Sequence, residues 1–228
     1  TWLTPFAVAV HFMPVAARSH GTLTARPLLD EFPEPPKRRE SCFLAYFRDK
    51  NGGPWLAELA KQHTVFVYGG LNDPPPGVIL RDFDRESFRK DLTRCSGVVA
   101  SAGSNLIAEC VLTKTPILAL HLPNDHEQAL NAQWAASEDV AMAGPIDQPD
   151  LNLVSRFAKR ALAGSFRSVD LDGALPPVTD QVSRALSSAI QSRPTQETPS
   201  PFASMVSFLS YFSSPRSSDT LDQRWEQC

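Results

Sequence analysis

Two short polar runs hold the residues whose types and spacing could do chemistry. The first run, Gly103-Ser104-Asn105, follows an apolar stretch and opens a helix-length segment that contains Glu109. The backbone N–H groups at a helix start are unpaired and carry the positive end of the macrodipole, so they suit a phosphate oxygen. A carboxylate about one turn further along can accept both hydroxyls of a ribose. The spacing therefore fits a nucleoside diphosphate.

An ordinary helix start explains the first run equally well. In that interpretation Ser104 or Asn105 is the N-cap, whose side chain bonds a backbone N–H of the first turn, and Glu109 is a solvated helix residue. The first run alone leaves both interpretations open.

The second run extends from His121 to Asn131 and again joins an apolar stretch to a helix start. It places His126, Glu127 and Gln128 at the first turn of that helix. Ligands bind outside the carboxyl ends of the strands in an open parallel sheet, so both runs should open on the same edge. Together the two runs predict one pocket.

Composition argues against metal, nucleic-acid and membrane-spanning functions. His121 and His126 lack a third ligand at useful spacing, so no metal is expected. The net charge is −3 and the longest basic run spans residues 37–39, so nucleic acid is not an expected partner. No apolar run approaches the roughly 18 to 20 residues that cross a bilayer, which leaves at most peripheral membrane association. Four widely spaced cysteines fit a reducing compartment, and we expect a cytoplasmic protein.

The remaining charged residues do not point to a catalytic pair. Asp82 and Asp84, flanked by Arg81 and Arg85, are typical of a solvated ion cluster. The motifs G-x-S-x-G, H-E-x-x-H and G-x-x-x-x-G-K-[ST] do not occur, which excludes the commonest hydrolase, zincin and NTPase sites.

Short β-rich runs alternate with helix-length amphipathic segments through the middle of the chain. This alternation predicts an α/β fold, a Rossmann-like parallel sheet with helices on both faces. The runs do not alternate strictly between polar and apolar residues, so we expect strands buried on both faces. The predicted strands span residues 42–47, 64–68, 78–81, 97–101 and 116–120. The predicted helices span residues 55–62, 87–94, 105–112, 127–137 and 151–162.

Composition also divides the chain into regions. Residues 1–40 are expected to be the remnant of an N-terminal domain, with a strand at 8–12 and a Pro- and charge-rich linker at 26–39. The α/β domain occupies residues 41–165. Residues 166–192 hold a helix at 179–190, and residues 193–228, rich in Ser and Pro, are expected to be largely disordered, with an apolar segment at 202–212 that is either loosely folded or docked.

Three runs in order, A-G-S-N-x-x-x-E, T-P-I-L-A-L and H-E-Q-x-x-N-A, resemble a known family. They are similar to the C-terminal, donor-binding domain of UDP-sugar glycosyltransferases of the two-domain GT-B fold. The resemblance is to glycosyltransferase family 28, which includes the peptidoglycan N-acetylglucosaminyltransferase. It covers roughly residues 41–143, with motif agreement at 97–132. It implies that residues 41–165 bind a UDP-sugar, a UDP-N-acetylhexosamine or UDP-hexose, for transfer to an acceptor hydroxyl without a metal or other cofactor.

The resemblance also implies roles for individual residues. The first run would meet the diphosphate, Glu109 would hold the ribose, and Glu127 and Gln128 would bond the donor sugar, with Asn131 supporting their loop. The implied donor-binding residues are Gly103, Ser104, Asn105, Glu109, His126, Glu127, Gln128 and Asn131. The uracil base would lie against residues 78–83, with Arg81, Asp82 and Phe83 as its binding residues.

Two features depart from the family pattern. The loop after the first strand of the domain, Arg48-Asp49-Lys50-Asn51-Gly52-Gly53, matches the family's glycine- or serine-rich loop only loosely. Only about forty residues precede the domain, whereas complete enzymes of this fold carry an N-terminal domain with most of the acceptor site. The catalytic residue therefore stays unassigned. Two alternatives stay open: a donor-binding subunit that needs a separate acceptor-domain partner, and a UDP-sugar epimerase.

Overall fold

A computed structural model of the chain describes residues 7–15, 22–29 and 31–191. Contacts group Thr1–Ala189 into one unit and Ile190–Cys228 into a second, of which only the last two residues of a helix are described. The tail at 193–228, predicted to be disordered, and its apolar segment at 202–212 lie outside the described residues. The domain boundary near residue 40 stays a prediction.

The described strands form two parallel sheets. The strands are β1 (Ala7–Val10), β2 (Thr22–Ala25), β3 (Glu40–Tyr46), β4 (Thr64–Tyr68), β5 (Val78–Arg81), β6 (Cys95–Ser101), β7 (Ile117–His121) and β8 (Ala141–Pro145). The larger sheet has six strands in the order β5-β4-β3-β6-β7-β8, and β1 pairs with β2. Chain order reverses between β3 and β6, because β4 and β5 lie on one side of β3 and the later strands on the other. The predicted Rossmann-like α/β fold is confirmed.

Helices cover both faces of the larger sheet. They are α1 (Gly53–Gln62), α2 (Arg85–Arg94), α3 (Ser104–Leu112), α4 (His126–Ser137), α5 (Leu151–Leu162), α6 (Leu171–Ala174) and α7 (Val178–Gln191). Successive strand side chains point to opposite faces, so Leu44 packs with the core beneath α2, α3 and α4. Phe43 packs with the core beneath α1 and α5, where the Trp55 indole N–H donates to Ile146 O at 2.7 Å. The helices are therefore held by two separate apolar cores. None of the described helices is both long and apolar enough to cross a membrane.

Sequence-based prediction was wrong about the outer strand and missed three elements. Residues 78–81 were expected to be buried on both faces, yet the side chains of Ile79 and Leu80 are 46% and 52% exposed. The reason is position, because β5 is the edge strand and has a neighbour on one side only. The prediction also omitted β2, β8 and α6. The Ala-Met-Ala-Gly-Pro sequence of β8 contains no β-branched residue, so propensity gives it no strand signal.

The segment before the large sheet packs against the helices that cover it. The predicted strand at 8–12 is shorter in the structure, because Phe12 leaves β1 and its ring lies 4.9 Å from that of Trp134 on α4. Strand β2 contacts α7 through the bond from Gln181 Nε2 to Thr24 O (3.0 Å), and Arg26, the residue after β2, forms an ion pair with Asp172 of α6 (2.8 Å). These contacts join both ends of the first unit.

Candidate functional site

A cleft of about 250 Å³ opens at the carboxyl ends of β3 and β6. This is the point where the strand order reverses, and ligands of open α/β sheets bind in the crevice at such a point. The cleft is lined by Tyr46, Arg48, Phe83, Arg85, Phe88, Ser101, Gly103, Asn105, Leu106, Glu109 and Gln128. Both polar runs of the sequence contribute to it, as the predicted single pocket requires.

The N-terminus of α3 forms one wall of the cleft and has no side-chain cap. Its N-cap is Gly103, with φ −70° and ψ 135°, and no side chain of the described residues bonds the first turn. In contrast, α2, α4 and α5 are capped by Asp84, Asp125 and Asp150. The interpretation in which Ser104 or Asn105 caps the helix is therefore wrong. A Cβ added at Gly103 would meet no described heavy atom within 4 Å, so the cleft is open above the helix start.

Glu109 is buried on the cleft side of α3. Its residue exposure is 5%, so the interpretation of a solvated helix residue is also wrong. Its Oε1 accepts a bond of 2.7 Å from Arg85 Nη2, and the Arg85 side chain is 44% exposed at the mouth of the cleft. Arg85 therefore belongs to the cleft and not to a solvated ion cluster. The neighbouring Asp84 caps α2 instead, accepting from Ser87 N at 2.8 Å, and this bonding lowers the pKa of its carboxyl.

The first turns of α4 supply a second buried polar group. Gln128 N donates to Asp125 Oδ1 at 2.9 Å, which fixes the start of the helix. The Gln128 residue is 8% exposed, and its Oε1 is buried with no hydrogen-bond partner among the described residues. Native proteins leave few such groups unpaired, so an unpaired acceptor on a cleft wall points to a ligand donor. The bond from Asn131 Nδ2 to Ala102 O (3.3 Å) joins α4 to the residue directly before the first polar run.

An aromatic wall closes the opposite side of the cleft. The Phe83 ring is 57% exposed and lies 6.4 Å from the ring of Tyr46 and 6.1 Å from that of Phe88. An exposed ring beside two packed rings offers a flat apolar surface, which suits the π-face of a base. Arg48 adds a positive charge at the end of β3, where its N–H bonds Ser101 Oγ at 3.3 Å.

Several predicted site residues do not line the cleft. His126 and Glu127 are exposed at the start of α4, and Ser104 is half-buried beside the cleft. The Arg81 side chain turns away to Asp91, with Nε 3.1 Å from Oδ2, and lies over the Phe66 ring. Asp82 is exposed. Of the three predicted base-binding residues, Phe83 alone is a lining residue.

Six lining residues, Tyr46, Arg48, Arg85, Phe88, Ser101 and Leu106, were not among the predicted site residues. Tyr46 and Arg48 lie at the end of the central strand, so applying the strand-end rule to β3 would have found them. The described residues hold no cluster of three or more His, Cys, Asp or Glu side chains suited to a metal ion.

Comparison with known families agrees with this geometry. A model of the family described as "Glycosyl transferase family 1" matches residues 6–161, more than half of the chain. The chain belongs to that glycosyltransferase family. The expected resemblance to GT-B glycosyltransferases is thereby confirmed, while the narrower likeness to family 28 stays a prediction. No curated protein matches the sequence significantly.

Three solved structures similar to this family member are described as glycosyltransferases or named as one. SnogD from Streptomyces nogalater is 14% identical, with a TM-score of 0.48, over 78% of this chain and 53% of that one. The spinosyn forosaminyltransferase SpnP is 14% identical, with a TM-score of 0.49, over 89% and 54%. VinC in complex with dTDP is 15% identical, with a TM-score of 0.45, over 75% and 52%. The chain thus spans about half the length of the structures that it matches.

Proposed function

We propose that the cleft binds a UDP-sugar, a UDP-N-acetylhexosamine or a UDP-hexose, and that the chain is the donor half of a hexosyltransferase acting on an acceptor hydroxyl. The observation that carries the proposal is the unpaired, buried Oε1 of Gln128 in the same cleft as the uncapped start of α3. A sugar hydroxyl can donate to the first group, and diphosphate oxygens can accept from the second.

In this proposal each part of such a donor has a partner in the cleft. The base stacks on the Phe83 wall, the ribose faces Glu109, and the diphosphate meets the N–H groups of Ser104 and Asn105. Arg48 adds charge opposite the phosphates. The sugar then reaches Gln128, and the bond from Asn131 to Ala102 O fixes α4 beside the first polar run.

Leaving-group stabilisation is the chemical task of this half. Sugar transfer builds an oxocarbenium-like centre while negative charge grows on the departing diphosphate. The fixed dipoles at the start of α3 can stabilise that charge without reorganising, and Gly103 lets the phosphate approach the backbone. This arrangement requires no metal ion.

The acceptor and its general base come, in this proposal, from a second domain, either in a longer form of the chain or in a partner protein. The described cysteines, Cys42, Cys95 and Cys110, are free buried thiols, which fits a reducing, cytoplasmic compartment.

The proposal is tested by calorimetric titration of the 228-residue chain with UDP, UDP-N-acetylglucosamine and dTDP, without added metal. The variant Gly103→Val is the informative comparison, because its backbone angles suit valine and its added Cβ meets open space. We expect unchanged folding by circular dichroism and affinity for UDP reduced by about tenfold or more. A folded wild-type chain that binds no nucleotide, or equal affinity in the variant, would contradict the donor site.

A further inference from the structure

The bond between Arg85 and Glu109 gives the cleft a property that the family resemblance does not supply. Arg85 is the first residue of α2, and its Nη2 lies 2.7 Å from Glu109 Oε1. The Glu109 side chain is 6% exposed, so this charge-assisted bond satisfies a buried carboxylate. One carboxylate oxygen is therefore engaged by the protein itself.

The proposed function places a ribose against the same carboxylate. A buried carboxylate that depended on both ribose hydroxyls would strongly reject a nucleotide without the 2′-hydroxyl, because one oxygen would be left unpaired. A guanidinium on Oε1 removes that penalty, since the oxygen is already bonded when the hydroxyl is missing. A neutral hydroxyl is also a weaker partner for the carboxylate than a guanidinium.

From this geometry we infer that Arg85 is a specificity-determining residue: by holding Oε1 of Glu109, it lets the cleft accept 2′-deoxyribonucleoside diphosphates about as well as ribonucleoside diphosphates. The inference rests on the proposed function. It extends the donor class from UDP-sugars to sugars carried by deoxyribonucleoside diphosphates.

The test compares UDP with dUDP, which differ only in the 2′-hydroxyl, by calorimetric titration of the full chain. The readout is the ratio of the two dissociation constants. Losing a positive charge weakens the binding of both ligands alike, so it does not change this ratio. In the wild type we expect a ratio within about threefold, and in Arg85→Met a preference for UDP of about tenfold or more. The variant's carboxylate has lost its guanidinium and gains more from the extra hydroxyl.

Arg89→Met is the matched control. Arg89 lies one turn further along α2, and its Nη1 donates to Glu31 O at 3.0 Å, so the same change of charge occurs outside the cleft lining. Its ratio should equal that of the wild type.

The outcomes separate this inference from the proposed function. A wild-type preference for UDP of about tenfold or more, or a ratio that Arg85→Met leaves unchanged, overturns the role of Arg85 while the donor site stands. If neither nucleotide binds the folded chain, the donor site fails and the inference fails with it.

Discussion

Replacing Gln128 with leucine should make the unliganded chain more stable and its nucleotide-sugar complex weaker. The Gln128 Oε1 is buried without a hydrogen-bond partner among the described residues, and such a group costs about 1–3 kcal/mol. Leucine removes the acceptor and is as good a helix former as glutamine. We expect the free energy of unfolding to rise by about 1 kcal/mol, or the melting temperature by about 2–4 °C for a chain of this size.

Gln128→Leu should also weaken the binding of the nucleotide sugar. A sugar hydroxyl that loses its acceptor forfeits about 0.5–1.5 kcal/mol, which weakens UDP-N-acetylglucosamine by up to about tenfold. A group that serves binding is recognised when its removal raises the free energy of unfolding and lowers the affinity, whereas removal of a packing group lowers the free energy of unfolding. Urea unfolding followed by tryptophan fluorescence measures the first effect, and calorimetric titration measures the second.

Gln133 provides the matched control, because it lies on the same helix and is exposed. Gln133→Leu should change the free energy of unfolding by less than about 0.5 kcal/mol and leave the affinity unchanged. The reasoning is refuted if Gln128→Leu lowers stability while Gln133→Leu does not, since Oε1 would then contribute to the unliganded fold. Unchanged affinity in Gln128→Leu would remove this side chain from the sugar site.

Two further substitutions test the fold around the cleft. Tyr68→Phe should cost about 1–3 kcal/mol near neutral pH, because the hydroxyl donates to the buried Asp91 at 2.8 Å. Burial, with that bond, raises the pKa of Tyr68, so this stability is present below its unfolded pKa of about 10 and is lost as pH rises beyond it. Urea unfolding at about pH 7 and about pH 11 should therefore give a smaller difference between wild type and variant at the higher pH. Arg39→Met should lower the free energy of unfolding by about 3 kcal/mol, because the guanidinium donates to Thr93 O, Cys95 O and Thr113 O at 2.5, 3.0 and 2.6 Å, at the ends of α2 and α3. Urea unfolding measures this loss; Arg38→Met, at an exposed neighbouring residue, should have no effect, and equal losses in both variants would contradict this account.

Sequence alone predicted the elements well where local chemistry decides them. Residues 64–68 and 151–162 form β4 and α5 with the predicted bounds. The start of α4 was placed one residue late, because Asp125 caps it and the first helical residue precedes the first apolar one. Local signals could not place β5 at the edge, since its residues are as apolar as those of a central strand. Edge position follows from the order of pairing across the whole sheet.

The candidate site likewise contains residues that local sequence patterns predict and one, Arg85, that they do not. Gly103, Asn105, Glu109 and Gln128 line the cleft, and each lies in a strand–turn–helix pattern that is visible locally. Arg85 could not be recognised, because its neighbours in the sequence are charged and its partner lies 24 residues away on another helix. Only its bond to the buried Glu109 on α3 distinguishes it from a solvated charge.

Glu109 and Gln128 show how one cleft can hold buried polar groups of two kinds. Burying a charge without a partner would cost several kcal/mol, and Arg85 beside Glu109 offsets part of that cost. A neutral amide oxygen costs about 1–3 kcal/mol, which a stable α/β domain can tolerate. The carboxylate is therefore paired within the protein, while the amide oxygen of Gln128 has no hydrogen-bond partner among the described residues. Under the proposed function, selectivity of the cleft should accordingly depend more on the sugar at Gln128 than on the ribose at Glu109.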